Sequence, residues 1–162
     1  MSGRRGPWGR WVDLLATQES GTVLALFRIA LGLICLHTVA DVWLSGVDAW
    51  VWVDRVDGGV IKIGKGHWLI KLLGGAGPET TQTLMGLAAA GGVSVVLGLG
   101  HRLGALLALQ AFLALFAMNP ASGGGHDKLI TNALWILLLS PASETLSVWC
   151  RLRRGRWTSD RL

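Results

Sequence analysis

The strongest constraint on this chain is a series of apolar stretches that are too long for a water-soluble fold. They cover roughly residues 21–44, 80–99, 103–118 and 129–139, and polar or basic segments separate them. At about 1.5 Å per residue the first stretch reaches roughly 36 Å, which is enough to cross a hydrocarbon core of about 30 Å. The pattern predicts an all-α membrane protein rather than a soluble domain.

Composition supports a bilayer as the solvent. Charged residues make up 15% of the 162-residue chain, against about 25% in soluble domains, and the mean hydropathy is +0.48. The net charge of +5 does not indicate nucleic acid, because the basic residues lie at the chain ends and in the loops between apolar stretches. Such residues are topology signals. We therefore expect the lipid bilayer as a partner and no nucleic acid.

The distribution of basic residues predicts four spans with both termini cytoplasmic. With that topology the cytoplasmic segments hold nine arginines and the outer loops hold five basic residues, with Arg28 inside the bilayer. The apolar stretch at 21–44 is longer than the core of a cleaved signal peptide, so we expect a retained helix. Residue usage rich in Gly, Ala, Arg, Leu and Trp indicates a bacterial inner membrane. The predicted four-helix bundle has helices at about 21–44, 80–99, 103–118 and 128–149.

Three further segments surround these helices. Residues 1–20 are expected to be a cytoplasmic or interfacial segment, either an amphipathic stripe or a disordered tail, and residues 150–162 a basic cytoplasmic tail. The mixed outer loop at 45–79 suggests a small hairpin around Asp57-Gly58-Gly59 and a short interfacial helix from His67 to Leu73. The fourth helix is predicted to continue past a kink at Pro141, the alternative being a re-entrant segment.

Small residues recur every fourth position in the second helix. Gly86, Ala90, Ser94 and Gly98 form a small-xxx-small ridge, which is typical of close helix packing in membranes. The ridge is our candidate packing surface for another helix, another membrane subunit or a second copy of the chain.

Arg28 requires an explanation, because an arginine inside a bilayer costs about 2.5–3.5 kcal/mol on insertion scales. It either anchors an anionic ligand or pairs with a carbonyl or carboxylate of another helix. It is our candidate ligand-binding residue.

Histidine and aspartate pairs occur at two places near the predicted outer surface. His37 and Asp41 are one helical turn apart, so they share a face, and a carboxylate beside an imidazole can relay a proton. His126 and Asp127 open the fourth helix at the same side of the membrane. If these four candidate catalytic residues converge, they form the polar opening of a cavity. Otherwise each pair is part of an ordinary helix cap or polar loop.

Other chemistry finds little support in the sequence. Cys35 and Cys150 are predicted at different depths, so no disulfide is expected. The chain has no GxSxG, no HExxH and no metal-ligand spacing. We therefore predict no metal and leave enzyme activity open. The His37–Asp41 pair suits quinone or acid–base chemistry, so we consider a quinone as a ligand.

Several segments resemble a known family. "LALFRIALGLICLH", "VDRVDGGVIK", "GLGHRLGALLAL" and "NPASGGGHDKLITNALWILLLSP", followed by "SVW", occur in that order over roughly residues 21–149. This order resembles the HTTM domain, a membrane domain similar to that of vitamin K-dependent gamma-carboxylase. The resemblance implies a multi-pass membrane protein with a quinone-like or lipid-like ligand, and it points to Arg28, His126 and Asp127.

A second resemblance is to the DoxX-like family of small four-helix membrane proteins, some of which take part in quinone-linked sulfur oxidation. "ALFRIALGLICLH" and "GGVSVVLGLGHRLGALLAL" carry it, although Leu87 to Ala90 stand where an early acidic residue is expected. The remaining alternatives are a non-catalytic packing subunit of a membrane complex and a chain that inserts without any activity.

Overall fold

The structure is a computed structural model, and it describes residues 21–60, 62–63, 66–100 and 102–157. The segment 1–20, including its amphipathic stripe, lies outside these residues, as do 158–162. Within the described residues the fold is all-helical, as predicted, and contains no β-strand. Its α-helices are α1 Thr22–Ser45, α2 Asp48–Val51, α3 Trp68–Leu72, α4 Pro78–Leu97, α5 Leu103–Met118, α6 Gly125–Leu139 and α7 Val148–Arg154.

Glycine and proline set the ends of the long helices. Helix α1 ends at Gly46, whose positive φ of 66° lets its N–H bond the Trp43 carbonyl. Helix α4 has Pro78 in its first turn, where proline is tolerated because the backbone N–H groups of the first turn make no intrahelical hydrogen bond. The helix ends at Gly98, which has a φ of 64°. Both helices are long and apolar enough to cross a membrane, while α5 is apolar but shorter.

The fourth helix is shorter than predicted. Helix α6 ends at Leu139 instead of continuing past Pro141 toward Trp149, and α7 begins only after a loop at residues 140–147. The physical reason is that proline disfavours the helical conformation of the residue before it, and Ser140 is accordingly extended (φ −95°, ψ 158°). Ser147 then caps α7 by accepting the Cys150 N–H.

The segment at 45–79 is helical where a hairpin was suggested. The segment 49–53 falls largely within α2, and a 3-10 turn covers Arg55–Asp57. Local capping explains the difference: the Asp54 carboxylate accepts the N–H groups of Val56 and Ile63, which folds the segment back on itself. The short helix predicted from His67 to Leu73 corresponds to α3.

Helix α4 is the centre of the packing, with α1 on one side and α5 on the other, and α5 also packs on α6. Gly91 of α4 lies against Ala108, and Ser94 lies against Gly104, so α4 and α5 run antiparallel. Helices α1 and α6 pack only loosely against each other. The fully buried core side chains include Leu84, Met85, Leu109, Phe112, Met118 and Leu134.

Helix α3 has a pH-sensitive cap. The His67 Nδ1 accepts the Leu69 N–H at 3.3 Å, and burial lowers the pKa of this imidazole below its usual value of 6.5. The unfolded state therefore binds more protons than the folded state just below pH 6.5. This contribution to stability is complete above pH 6.5 and decreases as the pH falls from 6.5 through the lower pKa of the folded state.

We expect hydrogen-exchange protection of residues 68–72 to fall between pH 7 and about pH 5. His67→Asn supplies a side-chain oxygen that caps without titrating, so its protection should not change over this range. Equal pH dependence in both proteins would contradict the assignment to His67.

Candidate functional site

Both histidine–aspartate pairs line one cavity. His37 and Asp41 come from the C-terminal half of α1, and His126 and Asp127 come from the first turn of α6. The cavity measures about 340 Å³, at the lower end of the roughly 300–1,000 Å³ typical of ligand pockets. Its remaining lining residues are Thr38, Val42 and Trp52. Residues that are 85 or more positions apart in sequence thus meet at one end of the fold.

Asp127 is the most rigidly held residue of this cavity. It is the third residue of α6, and its Oδ2 accepts the Gly124 N–H at 2.6 Å, which closes the start of the helix. Its Oδ1 lies 3.1 Å from Nε2 of His126. The Asp127 residue is 6% exposed, whereas the His126 side chain is 71% exposed. The pair therefore combines a fixed buried carboxylate with an accessible imidazole.

His37 and Asp41 supply the opposite wall. Both are exposed and lie on the same face of α1, and no direct ion pair joins them among the residues described. The hydroxyl of Thr38, between them, donates to the Ile34 carbonyl at 2.9 Å. The imidazole and the carboxylate are therefore both available to a ligand.

The structure adds Trp52, which no sequence pattern distinguishes from the other eight tryptophans. Its Nε1 donates to the Leu115 carbonyl at 3.1 Å, and its own carbonyl accepts the Thr81 hydroxyl at 3.0 Å. Asn119 donates to the neighbouring Val51 carbonyl at 2.9 Å. These bonds from α4 and α5 fix a buried indole against the cavity, so it offers a rigid apolar surface beside the polar groups.

Chemically, this cavity suits a ligand with a flat ring and hydroxyl or carbonyl groups. Carboxylates accept hydrogen bonds from hydroxyl groups, and an imidazole can donate to a carbonyl oxygen or accept from a hydroxyl. A tryptophan ring supplies apolar contact to a flat ligand. The described residues contain no group of three or more histidine, cysteine or acidic side chains that could hold a metal ion.

Arg28 does not join this cavity. It lies nine residues before His37, about 14 Å along α1 at 1.5 Å per residue. It is 2% exposed, and its Nη2 donates to the Leu146 carbonyl at 2.6 Å. The buried arginine thus has a backbone partner from the loop before α7.

Only part of the small-residue ridge contacts other elements of the fold. Gly98 lies against Arg28 and Ser147, and Ser94 lies against Gly104 of α5. Gly86 has no atom within 4 Å of where a Cβ would be, and Ala90 is exposed. Packing of this open part against a partner stays a prediction.

Other glycines, outside the i, i+4 pattern, allow the closest approaches between helix backbones. A Cβ on Gly91 would lie 2.6 Å from the Ala108 nitrogen, and one on Gly32 would lie 2.8 Å from the Val96 nitrogen. The sequence shows a run of small residues around Gly91, but it does not show which of them face a neighbouring helix.

Two larger depressions have no histidine among their described lining residues. One, of about 860 Å³, is lined by Asp54, Asp57, Lys62 and Glu79, and the Asp54 carboxylate already accepts backbone N–H groups. The other, of about 680 Å³, is an apolar groove between α3, α4 and α5, with Trp68 Nε1 donating to Gln110 Oε1 at 3.2 Å.

Cys35 and Cys150 are free thiols.

No protein-family model, curated protein or solved structure matches this chain.

Proposed function

We propose that the chain is a multi-pass membrane protein of the HTTM type, which binds a quinone or lipid-like ligand at the outer leaflet through the cavity between α1 and α6. In this proposal α1, α4, α5 and α6 form a four-helix bundle across a bacterial inner membrane. Both termini are cytoplasmic. The observation that carries the proposal is the convergence of His37, Asp41, His126 and Asp127 on one cavity.

The outward faces of the helices support a bilayer location. Large apolar side chains are exposed along α1, α5 and α6, where a soluble protein would place polar residues. Leu26, Leu33, Leu103, Leu129 and Ile136 are all more than half exposed. Together with the two helices of spanning length, this surface is compatible with lipid tails as its solvent.

The charged residues support the proposed orientation. Helix α7 and the residue after its cap carry Arg151, Arg153, Arg154 and Arg156 at the end of the fold where α1 begins. The cavity lies at the opposite end, where α1 finishes and α6 starts. Because basic residues favour the cytoplasmic side, the cavity then opens toward the outer leaflet.

A hydroquinone matches the groups in this cavity. One ring hydroxyl would donate to the Asp127 carboxylate, and the other oxygen would bond His37 across the cavity, with the ring against Trp52. An isoprenoid tail would leave between α1 and α6, since these two helices pack only loosely. The proposal concerns binding.

The test is native mass spectrometry of the gently purified protein, followed by titration with a short-chain quinol. We expect a quinone adduct in the wild type. Affinity should weaken by roughly ten- to a hundredfold in Asp127→Asn, because a hydrogen bond to a charged group contributes about 1.5–3 kcal/mol. It should weaken by roughly two- to tenfold in His37→Ala, which loses an ordinary hydrogen bond of about 0.5–1.5 kcal/mol. His67→Asn and Asp57→Asn change a histidine and a carboxylate outside the cavity, so they should bind like the wild type.

Unchanged affinity in both cavity variants would rule the site out. A uniform loss in all four variants would indicate a folding defect instead, and far-ultraviolet circular dichroism would identify it. A DoxX-like quinone-linked redox subunit would give the same adduct, and electron transfer from the bound quinol would distinguish it from a binding protein.

The open part of the ridge favours one alternative, a non-catalytic packing subunit. Gly86, which lacks a side chain, and Ala90 lie beside Val93 and Leu97, which are 43% and 44% exposed. Such a surface lets the backbone of a partner helix approach closely. In the same mass spectrum this function predicts a second polypeptide, or a second copy of the chain, without a quinone.

A further inference from the structure

The buried guanidinium of Arg28 has more donors than the described fold has partners for it. Nη2 bonds the Leu146 carbonyl, but Nε and Nη1 donate to no atom among the residues described, although both are buried. Buried polar groups are almost always satisfied, and an unmet donor on a charged group is especially costly. A partner that is not part of the described chain would meet this need.

No carboxylate of the described residues forms an ion pair with Arg28 to compensate its positive charge. Glu144, two residues before Leu146, is already paired with Arg154 at 2.5 Å. A buried ion without a counter-charge is far less stable than a buried polar group without a hydrogen bond. The missing partner should therefore be an anion rather than a neutral molecule.

A small cavity lies beside the guanidinium, and a second positive group borders it. Ala105, in the first turn of α5, lines the cavity together with Ser94, Gly98 and Ser143. The first N–H groups of a helix have no intrahelical partner and carry partial positive charge. Ala105 thus brings the first turn of α5, with its partial positive charge, close to the same cavity as the arginine, and both groups favour an anion there.

The size of the cavity limits which anion can enter. Its volume is about 10 Å³, at the lower limit of the roughly 10–15 Å³ that a single water molecule needs, so any ion that it holds must be monatomic. Phosphate, sulfate and carboxylates are polyatomic and do not fit. A water molecule would satisfy a donor but would leave the charge of Arg28 unopposed.

We propose that this cavity binds a halide ion, chloride under cellular conditions, between the Arg28 guanidinium and the first turn of α5. The ion connects α1 to α5 and neutralises the arginine beside the loop at 140–147. The site lies at the other end of the fold from the histidine–aspartate cavity, so it does not depend on the proposed quinone ligand.

The test is a titration of the full-length purified protein with bromide or chloride in gluconate buffer at constant ionic strength. We expect Tm to rise saturably, by roughly 3–6 °C at ten times the half-saturating concentration, because the ion binds only the folded state. Arg28→Met should lose this dependence. Arg153→Met removes an exposed arginine at the same end of the fold and should keep it.

A second measurement uses the wild type alone, in case Arg28→Met does not fold. The ³⁵Cl resonance should broaden in the presence of the protein, and bromide but not gluconate or sulfate should reverse the broadening. A Tm that rises equally with sulfate, or a ³⁵Cl line that the protein leaves sharp, would overturn the proposal. So would a high-resolution map with a water molecule in this cavity in the presence of bromide.

Discussion

Gly91→Val should destabilise the protein by about 3 kcal/mol, the upper part of the range for overpacked cores. Helices α4 and α5 meet at Gly91, where a Cβ would lie 2.6 Å from the nitrogen and 2.7 Å from the Cα of Ala108. Both are backbone atoms, so no side-chain rotation relieves the clash, and the helices must separate. The gain in helix propensity on replacing glycine, under about 1 kcal/mol, is too small to compensate.

The measurement is an unfolding titration with SDS in mixed micelles, followed by circular dichroism. Gly86→Val is the matched control, because Gly86 lies in the same helix with open space around the position of its Cβ. We expect its free energy of unfolding to stay within about 0.5 kcal/mol of the wild type. Equal stability of the two variants would mean that α4 and α5 do not meet as described.

Gly98→Ala should be the second strongly destabilising change, at about 2–5 kcal/mol. Gly98 ends α4 with a φ of 64°, and a Cβ in this left-handed conformation costs about 1–2 kcal/mol. The same Cβ would also overlap Nη1 of Arg28 and Cβ of Ser147. Relieving that overlap displaces a buried cation from the Leu146 carbonyl, which adds the cost of a lost charged hydrogen bond.

Gly46→Ala separates the two contributions, because Gly46 ends α1 with a nearly identical φ of 66° but has no atom within 4 Å of the Cβ position. The free energy of unfolding of Gly46→Ala should fall only by the backbone cost of about 1–2 kcal/mol. The difference between the two variants, measured by the same SDS titration, gives the contribution of the Arg28 contact. If both lose the same amount, the guanidinium does not lie against Gly98.

The helices were largely predictable, because their ends depend on local chemistry. The third was predicted at 103–118 and is α5, Leu103–Met118, and the first was predicted at 21–44 against Thr22–Ser45. Apolar length and the flanking glycine and proline residues decide these bounds. The fourth was overextended because its apolar run at 129–139 is too short to span a bilayer, so a continuation past a kink at Pro141 was assumed. Capping by Ser147 instead starts a separate helix.

The candidate cavity was predictable only in its polar half. His37 and Asp41 are related by helical spacing, and His126 and Asp127 follow from the start of α6. Because successive long helices run in opposite directions, the end of α1 and the start of α6 lie at the same end of the fold. Trp52 depends on tertiary hydrogen bonds, to Leu115 and from Thr81, that leave no local pattern.

The bond between Arg28 and Leu146 joins residues 118 positions apart. During synthesis the arginine therefore leaves the ribosome long before its carbonyl partner exists. The first helix must wait, with its cation unpartnered, until the segment after α6 has been made and has folded beneath it. A chain released early by the ribosome would keep its arginine unpartnered, and we expect such an incomplete product to be degraded faster than the full-length protein.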